Sequence, residues 1–236
     1  MSKGQAKRGS QKDIQLLFNV PKNKTYLERK IKVQISDWLS PIESDDYREY
    51  QDDGFLNKIG LGSCTGQLVD DFWPKGGPVW DGLAKSHDGT ILLFEAKAHI
   101  SEMFGGGMKA KAKASRDMIL RSLEETAEYI RAGYDATAWT DAMYQTANRL
   151  AHLYFLNKKI GVKAKLIYLV FLNDDSILTG KETEEMWRTA INVAERYILK
   201  LPFGRKASFN DGTNGSWHDW VSHVFIDVKQ LSPAII

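Results

Sequence analysis

The longest apolar run in the chain is Leu166 to Leu172, and it is only strand-sized. A helix that crosses a bilayer needs about 20 apolar residues, so this run is not a membrane span. It reads instead as a buried strand. A second compact run, Ile91-Leu-Leu-Phe94, lies in the strand-like segment 90–98 and has the same character. Between the two runs the apolar period changes to that of helices. Ile119, Leu123, Thr126 and Ile130 share a face over residues 115–131, and Trp139, Met143, Thr146, Leu150 and Leu153 recur over 136–157. Buried strands interleaved with amphipathic helices require a sheet covered by helices. The expected class is therefore mixed α/β.

The remaining segments fit one domain. Leu27, Ile31, Ile35 and Trp38 recur at spacings of four and three, so a helix is expected over residues 23–39, ended by Pro41. Residues 41–66 read mostly as loop. Short strands are expected over 67–72 and 78–85, a helix over 182–200 with Trp187, Ala190, Ala194 and Ile198 inward, a loop over 204–215, and a last strand over 223–228. Residues 1–22 are polar and basic, with Lys3, Lys7, Arg8 and Lys12 and no acid in the first twelve, and are expected to form a flexible arm. The division is then an arm over 1–22 and a single domain over 23–236, with no repeat and no internal linker.

Composition narrows the function classes. The 236 residues are 43% hydrophobic and 26% charged, which excludes a disordered or fibrous chain. The single cysteine, Cys64, excludes a disulfide framework or a Cys-rich zinc site. No apolar segment follows the first lysines, so no signal peptide is expected, and a reducing, cytoplasmic location is. A net charge of +2 does not by itself mark a nucleic-acid binder. The distribution is less even: Lys109, Lys111 and Lys113 follow three glycines, and an acidic tract holds seven carboxylates between Asp37 and Asp53.

The segment 79–97 carries the chemistry. Read as a hairpin with the three-residue loop His87-Asp88-Gly89, it has glycine where the turn wants a left-handed residue. Facing residue numbers then sum to 176, which sets Asp81 opposite Glu95 and puts Lys97 on the same face. A two-residue loop would shift the sum by one and break the cluster. Two facing carboxylates repel unless a cation lies between them. Asp81 and Glu95 are hard oxygen ligands suited to Mg²⁺ or Mn²⁺. Lys97 beside them could orient a water and stabilise charge on a phosphate.

Asp81, thirteen intervening residues, then Glu95-Ala96-Lys97 resembles the active-site pattern of the PD-(D/E)XK nuclease superfamily. Trp80 stands where that pattern has proline. The resemblance implies a restriction-endonuclease-like core over about residues 23–172: a helix, three antiparallel strands, a crossover helix and a further strand. It implies metal-dependent hydrolysis of phosphodiester bonds, in DNA more than RNA. Asp81, Glu95 and the Ala96 carbonyl would hold the metal and Lys97 the water. A glutamate from the first helix would assist: Glu28 is the best match, with Glu43 and Glu49 behind it. Gln145 and Arg149, four apart on one helix face, would meet the scissile phosphate or the water. Tyrosine is replaced by Arg149 relative to the RecB-type branch.

Other candidates carry less. Asp70 and Asp71 read as a solvated pair, His87 and His99 as surface residues, and His218 and His223 lack a third zinc ligand. Gly105 to Gly107 have no following Gly-Lys-Ser/Thr, so they are not a P-loop, but with Lys109, Lys111 and Lys113 they could clamp phosphates. Cys64 has no histidine beside it to make a nucleophile. The expected partner is nucleic acid, with a homodimer or a larger complex also open and no membrane. The alternative is a nucleic-acid- or protein-binding subunit that retains the fold without catalysis. On this reading Glu95→Ala or Lys97→Ala abolishes cleavage and leaves folding nearly intact.

Overall fold

The computed structural model describes residues 4–176, 182–200, 209–210 and 215–233. The loop expected over 204–215 lies mostly outside the described residues, as does Lys3. The chain runs α1 (Gly9–Asn19), α2 (Pro21–Ile31), β1 (Ile35–Ser40), α3 (Asp52–Lys58), β2 (Gly82–Ser86), β3 (Ile91–Lys97), α4 (Lys113–Tyr129), α5 (Ala136–Thr140), α6 (Tyr144–Tyr154), β4 (Ala164–Leu172), α7 (Glu184–Leu199) and β5 (Val221–Asp227). The strands form one mixed sheet in the order β1-β2-β3-β4-β5. The first three are antiparallel, while β4 lies parallel to β3 and β5 parallel to β4. Parallel neighbours need crossovers, and α4 to α6 and then α7 supply them. The class is thus α/β, with helices on the sheet. Among the described residues no helix is long and apolar enough to cross a membrane.

The period of two along β3 sorts its side chains between two cores. Leu92, Phe94 and Ala96 pack with Ile14, Leu17, Phe18 and Leu27 of α1 and α2. Ile91 and Leu93 pack with Leu123, Trp139, Ala147, Leu150 and Leu153 of α4 to α6. Continuing that alternation, Glu95 and Lys97 fall on the face of α4 to α6.

Two expectations at the N-terminal side are corrected. The segment read as a flexible arm contains α1, whose Ile14, Leu17 and Phe18 are fully buried. Their spacing of three and one puts them on one face, and each buried side chain of this size is worth about 1.5–3 kcal/mol. The helix expected over 23–39 ends at Ile31, where Lys32 turns left-handed with φ 56°. Ile35 and Trp38 instead pair with Ser86 and Ala84 as strand β1, because the edge of β2 offers a ladder that local period does not foresee. The strand expected over 67–72 is a wide helical turn, Gln67–Phe72. The single helix expected over 136–157 is broken into α5 and α6.

Candidate active site

The β2–β3 hairpin has the register that the three-residue loop predicts. Gly82 faces Phe94 and Lys85 faces Ile91, so paired numbers sum to 176. Gly89 takes φ 81°, the left-handed value the turn requires. Just before β2 the chain leaves the hairpin: the Trp80 N–H donates to Tyr50 O at 3.0 Å. The ladder bond that Trp80 would have made to Ala96 is replaced by a side chain. The Ala96 N–H donates to Asp81 Oδ2 at 2.8 Å. The N–H and carbonyl of one strand residue point to the same edge, so the Ala96 carbonyl also faces the Asp81 side.

Glu95 and Lys97 meet α6 across the sheet. Lys97 Nζ donates to Glu95 Oε1 at 2.7 Å and to Gln145 Oε1 at 2.8 Å. Arg149 Nε donates to Glu95 Oε2 at 2.8 Å. Glu95, Lys97 and Arg149 are 2%, 7% and 6% exposed, which makes this a buried network. Asp81, Glu95, Lys97, Gln145 and Arg149 therefore converge as the sequence suggests. Arg149 differs in its use. It also donates to Asn148 Oδ1 at 2.9 Å and Val79 O at 3.0 Å, and its guanidinium lies over the Trp80 ring at 5.5 Å. Three of its five donors are spent on protein, so its first role is to fix Glu95 rather than to hold a phosphate.

Charge state follows from these contacts. Burial pushes the Asp81 carboxyl up to about 7, reinforced by the Glu95 charge and opposed by the Ala96 N–H. Burial also works against the Glu95 carboxylate, but Arg149 and Lys97 outweigh it and hold its pKa below the usual value. The pair is thus split: Glu95 is ionised and Asp81 sits where a nearby cation would ionise it. His152, one turn beyond Arg149, is lowered to about 3 by burial. It is neutral, its Nδ1–H donates to Asn148 O at 2.8 Å, and its ring lies 5.0 Å from Trp73.

Other expected residues fall elsewhere. Glu28 does not reach the site. Its Oε1 accepts the Ile35 N–H at 2.8 Å, and Ile35 pairs with Ser86, at the end of β2 away from Asp81. Spanning β2 from Ser86 to Gly82 alone takes about 13 Å at a strand's rise. Glu49 is the closer carboxylate. It is 6% exposed, its charge acts on Asp81, and its Oε1 accepts from Gln11 Nε2 at 3.1 Å. Glu49 sits in an irregular segment, so no periodicity singles it out over Glu43. Glu102, held by Ser10 Oγ at 3.4 Å, lies near enough to Lys97 to feel its charge, and its place in the short turn Ile100–Met103 has no periodicity to mark it.

A groove of about 680 Å³ opens beside Gln145 and Arg149, between residues 73–79 and 105–112. Lys75, Lys109 and Lys111 line it. Lys113 does not: it starts α4 and pairs with Asp117 at 2.6 Å in solvent. Among the described residues no group of three or more His, Cys, Asp or Glu forms a ready cage for a metal ion. Mg²⁺ does not require one, since it keeps waters and takes substrate oxygens. The oxygens of Asp81, Glu95 and the Ala96 carbonyl suit that hard cation. Scans against protein-family models, curated proteins and solved structures return no match.

Proposed function

We propose that the protein is a metal-dependent nuclease of the restriction-endonuclease-like type, with DNA the expected substrate ahead of RNA. The observation that carries this reading is the convergence of Asp81, Glu95 and Lys97 at one end of the β2–β3 hairpin, with Gln145 on Lys97. The element order supports it: a helix, three antiparallel strands, crossover helices, then β4 parallel to β3. Asp81, Glu95 and the Ala96 carbonyl are the groups that would hold Mg²⁺ or Mn²⁺. When bound, such an ion polarises the phosphate and acidifies its water.

The chain's own residues do the positioning. Arg149 holds Glu95 in place, and Gln145 holds the Lys97 ammonium over the same carboxylate. Lys97 is placed to orient an attacking water and to stabilise the negative charge that grows on the phosphate. The reaction cleaves a phosphodiester with water, leaving a phosphate monoester and a free hydroxyl. Incubating the protein with DNA and Mg²⁺ tests this. Cleavage that needs the metal and is lost in Lys97→Ala supports it, and equal cleavage by that variant defeats it.

One observation favours the second reading, a binding subunit that keeps the fold. Both Glu95 oxygens already have cationic partners, Lys97 and Arg149. A site closed in this way would bind nucleic acid or protein without turnover, and salt-sensitive DNA binding with no metal-dependent cleavage is its signature.

A further inference from the structure

The substrate state of this site is written in its access. Glu95, Lys97 and Arg149 are each less than a tenth exposed, so a reacting phosphate must descend to them. The groove of about 680 Å³ is lined by Gln145 and Arg149, whose side chains bond Lys97 and Glu95 behind it. That volume is the size of a pocket enclosing one drug-sized ligand, and so about one or two nucleotides. A duplex presents its phosphates on a stiff, convex surface and cannot lower one into such a slot. A single strand can splay its bases and bend its backbone in.

The lining fits the same conclusion. Lys109 and Lys111 are exposed on one wall and Lys75 on the other, placing positive charge along both sides of a backbone path. Tyr144 lines the groove next to Gln145 and stacks on buried Trp73, with ring centroids 6.4 Å apart and planes 25° from parallel. A braced aromatic ring beside cations is how proteins hold unpaired bases without reading sequence. Resting on the nuclease reading above, we infer that the protein acts on single-stranded DNA, including flaps, and not on the interior of a duplex. Tyr144 stacks a base next to the scissile phosphate, and Lys109 and Lys111 carry the strand toward it.

The test uses the full chain, Mg²⁺ and three labelled DNAs of one sequence: a single strand, its blunt duplex, and the duplex bearing a single-stranded flap. Anisotropy with Ca²⁺ in place of Mg²⁺ measures binding apart from cleavage. The single strand and the flap are expected to be cut at least tenfold faster than the duplex interior. Tyr144→Ala should weaken single-strand binding roughly tenfold, the effect of losing one stacked base, whereas Tyr144→Phe, which keeps the ring on Trp73, should bind as the parent does. Lys109→Ala/Lys111→Ala should weaken it too and flatten its salt dependence. Interior cutting of the blunt duplex at the single-strand rate overturns this inference and leaves the nuclease reading standing. No cleavage of any of the three overturns both.

Discussion

Glu95 is the hub of the buried network, and Glu95→Gln isolates its charge. The substitution keeps the shape of the side chain and removes the anion between two buried cations, Lys97 at 2.7 Å and Arg149 at 2.8 Å. Removing one partner of a buried ion pair costs about 3–5 kcal/mol, because the remaining charge is stranded. Here the stranded groups keep other contacts. Lys97 retains Gln145, and Arg149 retains Asn148, Val79 and the Trp80 ring. The low end applies, about 3 kcal/mol. For a domain of this size that lowers the melting temperature by roughly 6–12 °C. Urea unfolding followed by tryptophan fluorescence would read it as a lower midpoint at constant slope. This revises the expectation that variants at Glu95 fold nearly as well as the parent. A change within about 0.5 kcal/mol, the range of ordinary surface substitutions, would refute the buried triad.

Three further outcomes follow from named contacts. Leu17→Ala in α1 should cost about 2–5 kcal/mol, since this side chain is fully buried, whereas a flexible arm would give no change in a denaturant melt. Glu195 is pushed up to about 7 by burial, so the stability its protonated form gives is complete below pH 4.5 and fades as pH rises through 7. Melts of Glu195→Gln against the parent should therefore match near pH 4 and favour the variant at pH 8, and a constant difference across that range would contradict the burial. Glu49→Gln should weaken metal-dependent cleavage and Glu28→Gln should not, which metal titrations of the rate would decide.

The hairpin was legible because its determinants are local. Gly89 and the loop length fix the register, which leads the chain to Asp81 beside Glu95 and Lys97, and the Ala96 N–H then holds the Asp81 carboxylate there. The four-residue spacing puts Gln145 and Arg149 on one helix face but does not foresee their pairing with Lys97 and Glu95 in place of a phosphate or water. What failed to read was decided by long-range contacts. Ile35 and Trp38 fit a helical period, yet β2 takes them as a strand. Ile14, Leu17 and Phe18 did carry a helical signal, but the basic residues before them hid it. Glu49 acts on Asp81 through its charge from a segment with no period, whereas the helix position that favours Glu28 is spent on the turn from α2 into β1. The inward turn of Arg149 depends on Val79 O and Asn148, partners that spacing cannot assign.

On the proposed function, Asp81, Glu95 and Lys97 form one metal-dependent hydrolytic site. The most direct measurement is cleavage of labelled single-stranded DNA and its duplex by the parent and by Asp81→Asn, with Mg²⁺ or Mn²⁺ titrated and the fold of both proteins checked by circular dichroism. Cleavage is expected to rise with metal in the parent and to vanish in the folded variant. Equal cleavage by the two proteins, or no cleavage by the parent of either the single strand or its duplex at any metal concentration, would contradict the proposed function.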